Sequence, residues 1–255
     1  MKVFSLTKKE ILSAMSIFLL AATTLTIGGT TLSKAVSAAS TPRDIPIYSV
    51  ETEEKKVAIS FDAAWGNEQT TDLLNILENY DVKATFFLVG QWVDNYPDSV
   101  KEIAEKGHDV ENHSNTHAHM PELSLEDMTE EVVNCNEKIT ALTGKCPTLF
   151  RPPYGDYNND VVGAVKNQNM YCVQWDVDSL DWKDLSASEI TNRITSKIQP
   201  GSIVLLHNGA KNTPAALPSI IEGIRAQGYE LVPISELIPK GNYTTDHEGR
   251  MHIAE

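Results

Sequence analysis

Two imidazoles four residues apart, in His113-Ser114-Asn115-Thr116-His117, are the side chains best suited to chemistry in this chain. One helical turn would bring both to the same face, and ring nitrogens aimed at one point hold a divalent metal. Such a metal makes water nucleophilic near neutral pH by lowering its pKa toward about 7. A polar helix can carry this spacing by chance, so the pair needs company. Asp62, Arg151, Asp181 and His207 supply it, each standing where a predicted strand stops.

Short β-rich runs alternate with amphipathic stretches. Strands are predicted at 57–61, 84–88, 109–112, 148–151, 170–175, 203–206 and 230–232, with helices between them. Ser124-Leu125-Glu126-Asp127 and Ser186-Ala187-Ser188-Glu189 read as helix-starting capping boxes, and Gly107, Gly144, Gly201 and Gly228 stand where helices should end. Strand–helix alternation implies a parallel sheet, either a closed barrel or an open doubly wound sheet. In both, ligands bind beyond the carboxyl ends of the strands. Asp62, His113, Arg151, Asp176, Asp178 and His207 all follow or end strands. A purely structural set would scatter between both ends, so agreement on one rim favours a site.

The chain has 255 residues and is 41% hydrophobic, enough for one α/β domain after an N-terminal leader. Residues 1–38 read as that leader: lysines, an uncharged stretch from Ile11 to Ser33, then Ala35-Val36-Ser37-Ala38-Ala39. This suits a cleaved signal peptide or an uncleaved membrane anchor, and export in either case. Residues 39–54 read as a linker, 55–239 as the domain, and 240–255 as a polar, aperiodic tail. The chain carries −14, and the leader's four lysines and one glutamate contribute +3, leaving −17 on residues 39–255. That charge repels nucleic acid. Cys135, Cys146 and Cys172 lack zinc spacing. A Cys135–Cys146 bridge is conceivable, but buried free thiols fit better.

Ser60-Phe61-Asp62, His113 to His117, Arg151-Pro152-Pro153-Tyr154-Gly155, Asp178-Ser179-Leu180-Asp181-Trp182 and Leu206-His207 resemble, in order and spacing, the five motifs of NodB-homology polysaccharide deacetylases. That family is carbohydrate esterase family four, and the leader with Phe61-Asp62-Ala63-Ala64-Trp65-Gly66 looks most like its sporulation, PdaB-like subgroup. The resemblance covers roughly residues 55–235. It implies a distorted (β/α) barrel of about seven parallel strands. It also implies Asp62 as general base, His207 as general acid, Arg151 orienting Asp62, and Asp181 tuning His207. His113 and His117 become metal ligands, and Tyr154, Pro153 and Trp182 line the substrate. The implied activity is removal of N-acetyl groups from the amino sugars of a cell-wall glycan, peptidoglycan foremost and chitin next. The expected protein is a monomer touching membrane only through an uncleaved leader. Two imidazoles with oxygen donors suit zinc first, then cobalt or nickel.

One position departs from the family. A second aspartate, the third metal ligand, usually follows the base, and here that residue is Ala63. Catalytic zinc typically takes three protein ligands and water, so two histidines predict weak metal retention. Water or Asp62 could fill the vacancy, ahead of Asn67, Glu68, Glu111 or His119. Glu111 reads as a solvated rim carboxylate, and Trp65, by base rate, as packed. Two other readings stay open: a catalytically silent glycan-binding protein on this fold, and a glycosidase using Asp62 with Asp178.

Overall fold

A computed structural model describes residues 43–254, so the leader assigned to residues 1–38 lies outside the described residues. The strands are β1 (Ser49–Val50), β2 (Lys56–Ala63), β3 (Thr85–Leu88), β4 (Asp109–Asn112), β5 (Leu149–Phe150), β6 (Tyr171–Cys172), β7 (Val177–Asp178), β8 (Ile203–His207), β9 (Glu230–Leu231), β10 (Tyr243–Thr245) and β11 (Arg250–Ile253). The helices are α1 (Thr70–Asn79), α2 (Gly90–Asn95), α3 (Pro97–Glu105), α4 (Leu125–Thr143), α5 (Asn159–Asn167), α6 (Ala187–Thr195), α7 (Thr213–Ala226) and α8 (Ile234–Leu237).

Seven parallel strands run in the order β6-β5-β4-β3-β2-β8-β7, and β9 pairs with the first residues of β2. This is an α/β half-barrel with β6 and β7 as its edges. The expected distorted barrel of about seven strands is therefore present. Its odd member is Val177–Asp178, which the sequence pattern did not mark as a strand.

Strand β2 sits at the centre and shows how the pleat sorts residues. Val57, Ile59, Phe61 and Ala63 pack into the cluster shared with the helices, while Ala58 belongs to the interior cluster. Alternation puts Ser60 and Asp62 on the Ala58 side. Phe61 stacks on Phe86 of β3 with ring centroids 4.9 Å apart. Each such buried side chain contributes about 1.5–3 kcal/mol. Parallel strands covered on both faces become nearly continuous apolar runs, as in Ile203-Val204-Leu205-Leu206.

The helix-start expectations hold. Ser124 accepts from the Asp127 N–H, Ser186 and Glu189 form a reciprocal capping box, and α4 ends on Gly144 in the left-handed conformation.

Residues 43–54 and 240–254, the described parts of the segments read as linker and tail, are ordered parts of the domain. Ile47 donates its N–H to Cys172 O and accepts from Gln174 N, and Val50 donates to Gly201 O. Within the tail, β10 and β11 pair antiparallel, and β11 pairs with β1, so residues 243–253 are not aperiodic. Their apolar content is low, and it is partner backbone that makes them strands. All three cysteines are free, with Cys146 exposed where a buried thiol was expected.

Candidate active site

Strand register sets the first pair of groups. Asp62, near the end of β2, is the direct neighbour of His207, the last residue of β8. From beyond β5, Arg151 reaches across the interior, donating from Nη1 to Asp62 Oδ1 at 2.7 Å and from Nη2 to Ser60 Oγ at 2.9 Å and Gln174 O at 3.1 Å. Its guanidinium also lies 4.0 Å over the Phe87 ring, so both the fork and the flat face are held. Arg151 is fully buried and Asp62 nearly so. Burial would raise the Asp62 pKa, but Arg151, then His113 and His207, hold it below its ordinary 3.8. It is a carboxylate at neutral pH.

His113 Nδ1 donates to Arg151 O at 2.7 Å, leaving the lone pair on Nε2. That nitrogen faces Asp62 Oδ2 at 3.5 Å. Burial lowers the His113 pKa, and burial together with the neighbouring His113 pushes His117 down to about 4. Both rings are therefore neutral at pH 7, with ring centroids 5.0 Å apart.

The two histidines meet by a route other than the expected helical turn. His113 leaves β4 directly into a loop, and Ser114 and His117 both take positive φ, 68° and 61°. Glu131 on α4 holds this loop: Oε2 accepts from the N–H groups of Asn115 and Thr116, and Oε1 from the Thr116 hydroxyl, each at 2.8 Å. Ser114 Oγ accepts from the His117 N–H. Strand-end geometry plus this clamp replaces the i, i+4 relation.

On the opposite side, Asp181 closes around His207. Its Oδ1 meets His207 Nδ1 at 2.8 Å, and its Oδ2 accepts from the His207 N–H and the Thr213 hydroxyl. Burial works against the charged ring, but the hydrogen bond and charge of Asp181, with Asp62 and Asp178 adding, raise the His207 pKa above 6.5. With Nδ1 engaged by Asp181, any proton this ring exchanges would pass through Nε2.

A cavity of about 350 Å³ joins Asp62, His113, His117 and His207, with Tyr154, Trp182 and Trp65 among its walls. Tyr154 sits at φ 61°, unusual for a residue with a side chain. His119 stacks on its ring at 4.1 Å and meets Asp156 at 2.9 Å. Pro153 is buried beneath the turn and does not line the cavity.

Three further sequence expectations change. Glu111 is buried, accepts from the Thr148 and Leu149 N–H groups, and is pushed up to about 8 by that burial. It is a clamp on the start of β5 and no solvated rim carboxylate. Asp176 binds Ser202 and the Ile203 N–H, a structural duty. Trp65, expected to be packed, is 58% exposed. The exposure of Trp65 and the loop-holding role of Glu131 were not legible in the sequence. Trp65 had a faint signal in the Gly66 that follows it, whereas Glu131 is remote in sequence from the loop it holds.

Among the described residues, no three His, Cys, Asp or Glu side chains are arranged to hold a metal. Ala63 is fully buried in the helix-side cluster and does not line the cavity. Asn67, Glu68, Glu111 and His119 do not line it either. The two donors that face each other are His113 Nε2 and Asp62 Oδ2, 3.5 Å apart, with the His117 ring 5.0 Å from that of His113. Facing lone pairs on Nε2 and Oδ2, with no proton between them when His113 is neutral, fit a small cation.

The polysaccharide deacetylase family model matches residues 49–173. YlxY of Bacillus subtilis is 36% identical over 76% of this chain and 60% of its own length, so the chain spans less than two thirds of that relative. A peptidoglycan-N-acetylglucosamine deacetylase of Bacillus cereus is 33% identical over 77% of this chain and 94% of its own. Among solved structures, BA3943 of Bacillus anthracis, described as a CE4 family pseudoenzyme, superposes with a TM-score of 0.73 at 37% identity, covering 75% of this chain and 68% of that one. A mutant of BA3943 is described as having restored enzymatic activity. With the half-barrel, the strand-end site and these relatives in agreement, the chain belongs to the polysaccharide deacetylase family, carbohydrate esterase family four.

Proposed function

We propose that this protein is a metal-dependent hydrolase that removes N-acetyl groups from the amino sugars of peptidoglycan, outside the cytoplasm. The observation that carries the reading is the Asp62–His207 pair. Neighbours across β2 and β8, they are pushed in opposite directions, Asp62 below its ordinary 3.8 and His207 above its ordinary 6.5. Titratable groups whose surroundings push them apart in this way divide into a base and an acid.

Asp62, oriented by Arg151, takes a proton from water as the water oxygen attacks the acetyl carbonyl carbon. His207 Nε2 then gives its proton to the amide nitrogen as the C–N bond breaks, leaving acetate and a free amine. Asp181 holds His207 in the protonated tautomer. Tyr154 and Trp182 supply the apolar wall for the acetyl methyl and the sugar face. His113 and His117, with Asp62 Oδ2 beside them, would hold a divalent cation, zinc foremost, and such an ion would supply Lewis-acid polarisation of the carbonyl and a lowered water pKa.

Acetate release from peptidoglycan fragments by the full chain is the test. Asp62→Asn and His207→Ala should each lower kcat by about 100-fold or more, and a chelator should do likewise. Undiminished turnover in either variant would sink the assigned roles.

Ala63 supports a second reading, a silent glycan-binding protein, and the relative BA3943 is described as a CE4 family pseudoenzyme. An inert parent that gains acetate release on Ala63→Asp supports that reading, whereas an active parent removes it.

A further inference from the structure

Trp65 is an exposed aromatic on a fixed mount. Three of the five large hydrophobic side chains exposed among the described residues, Trp65, Tyr154 and Trp182, surround the single cavity that contains Asp62 and His207. Apolar surface gathered around one cavity marks a ligand groove, whereas isolated exposed residues need no explanation.

The mount is built from both flanking elements. Gly66 takes φ 71°, and its carbonyl accepts from Trp92 Nε1 at 2.7 Å and from Asn208 Nδ2 at 3.3 Å. Asn208 follows the proposed acid, and its Nδ2 also donates to Thr70 Oγ1. Gly209 packs so closely that a Cβ there would lie 2.7 Å from the Trp65 carbonyl oxygen. The Trp65 ring meets His117 edge-on, centroids 5.5 Å apart and planes at 88°. Backbone and one edge are fixed, and more than half of the side chain faces solvent.

Depth separates Trp65 from the reacting groups. Asp62 is 6% exposed and Trp65 58%, and a cavity of about 350 Å³ is near the small end of ligand sites, which run from about 300 to 1,000 Å³. It has room for one sugar ring over the carboxylate, so the next ring of a glycan chain must lie on the rim. Pyranose rings present an apolar C–H face to aromatics while their hydroxyls stay in water.

Resting on the deacetylase reading above, we propose that Trp65 is a stacking platform for the sugar beside the one being deacetylated, so that the protein selects glycan oligomers over single amino sugars.

Calorimetric titration of the full chain with an N-acetylglucosamine tetramer and with the monomer tests this, alongside acetate release from both. Trp65→Ala should weaken tetramer affinity about tenfold and monomer affinity by less than about twofold, while Trp65→Phe stays within about threefold of the parent. Thermal midpoints near the parent's would confirm that both variants fold. Equal tetramer affinity in Trp65→Ala and the parent, equal losses for tetramer and monomer, or a parent that binds neither sugar would each overturn the inference. Tetramer-specific loss without acetate release from any form would uphold the platform and remove the catalytic reading. Acetate release with chain-length preference unchanged in Trp65→Ala would do the reverse.

Discussion

The two oxygens of Asp62 have different duties. Oδ1 is occupied by Arg151 Nη1, while Oδ2 faces His113 Nε2 across 3.5 Å. The pH behaviour follows from the charges around them. Asp62 is held below 3.8 and His117 is pushed to about 4, so the acid limb of kcat/KM should lie near or below pH 4. His207 is raised above 6.5, and as the proposed proton donor it should place the alkaline limb above that value. Asp181→Asn removes the charge partner of the imidazolium, and the alkaline limb should move to lower pH by about one to three units. An unmoved limb in a pH–rate profile would show that another group sets it. Stability has the same signs. The Asp62 contribution is present above 3.8 and lost as pH falls through its folded pKa, and that of His207 is present below 6.5 and lost as pH rises through its folded pKa.

Elements place these residues, and strands were easier to anticipate than the loop between them. The run Val57 to Phe61 ending in Asp62 announced a strand delivering a carboxylate, because a buried parallel strand is apolar to its last residue. The His113–His117 loop carried no comparable signal. Its shape depends on two positive-φ residues and on a glutamate borrowed from α4. Glu131→Ala should release three hydrogen bonds and weaken metal affinity about 10- to 100-fold, as loss of ligand-supporting contacts does. Zinc titration of parent and variant measures this, and unchanged affinity would show that the loop holds its shape unaided. The same pleat sends the residue after Asp62 toward the helices. An aspartate at position 63 therefore has to turn the end of β2 before it can reach the cavity.

Across the whole molecule, the two ends of the described chain complete the half-barrel. Ile47 pairs beside β6, Val50 binds Gly201, and β1 pairs with β11 near the C-terminus. Gly201 stands at φ 84°, and a Cβ there would lie 1.7 Å from Val50 O. Gly201→Ala should cost more than about 2 kcal/mol in urea unfolding, since both the backbone conformation and the close approach forbid a side chain. A midpoint equal to the parent's would show that the N-terminal segment is only loosely attached. Periodicity and strand-end polarity determined by themselves the parallel α/β class, the rim that holds the candidate site, and most residues proposed for it, because strand burial and helix capping are local and repeat along the chain. Only tertiary structure decided the Asp62–His207 register, the Glu131 clamp, the exposure of Trp65 and the ordering of both flanks. These depend on groups far apart in sequence, whose backbone and charge meet only after the sheet has formed.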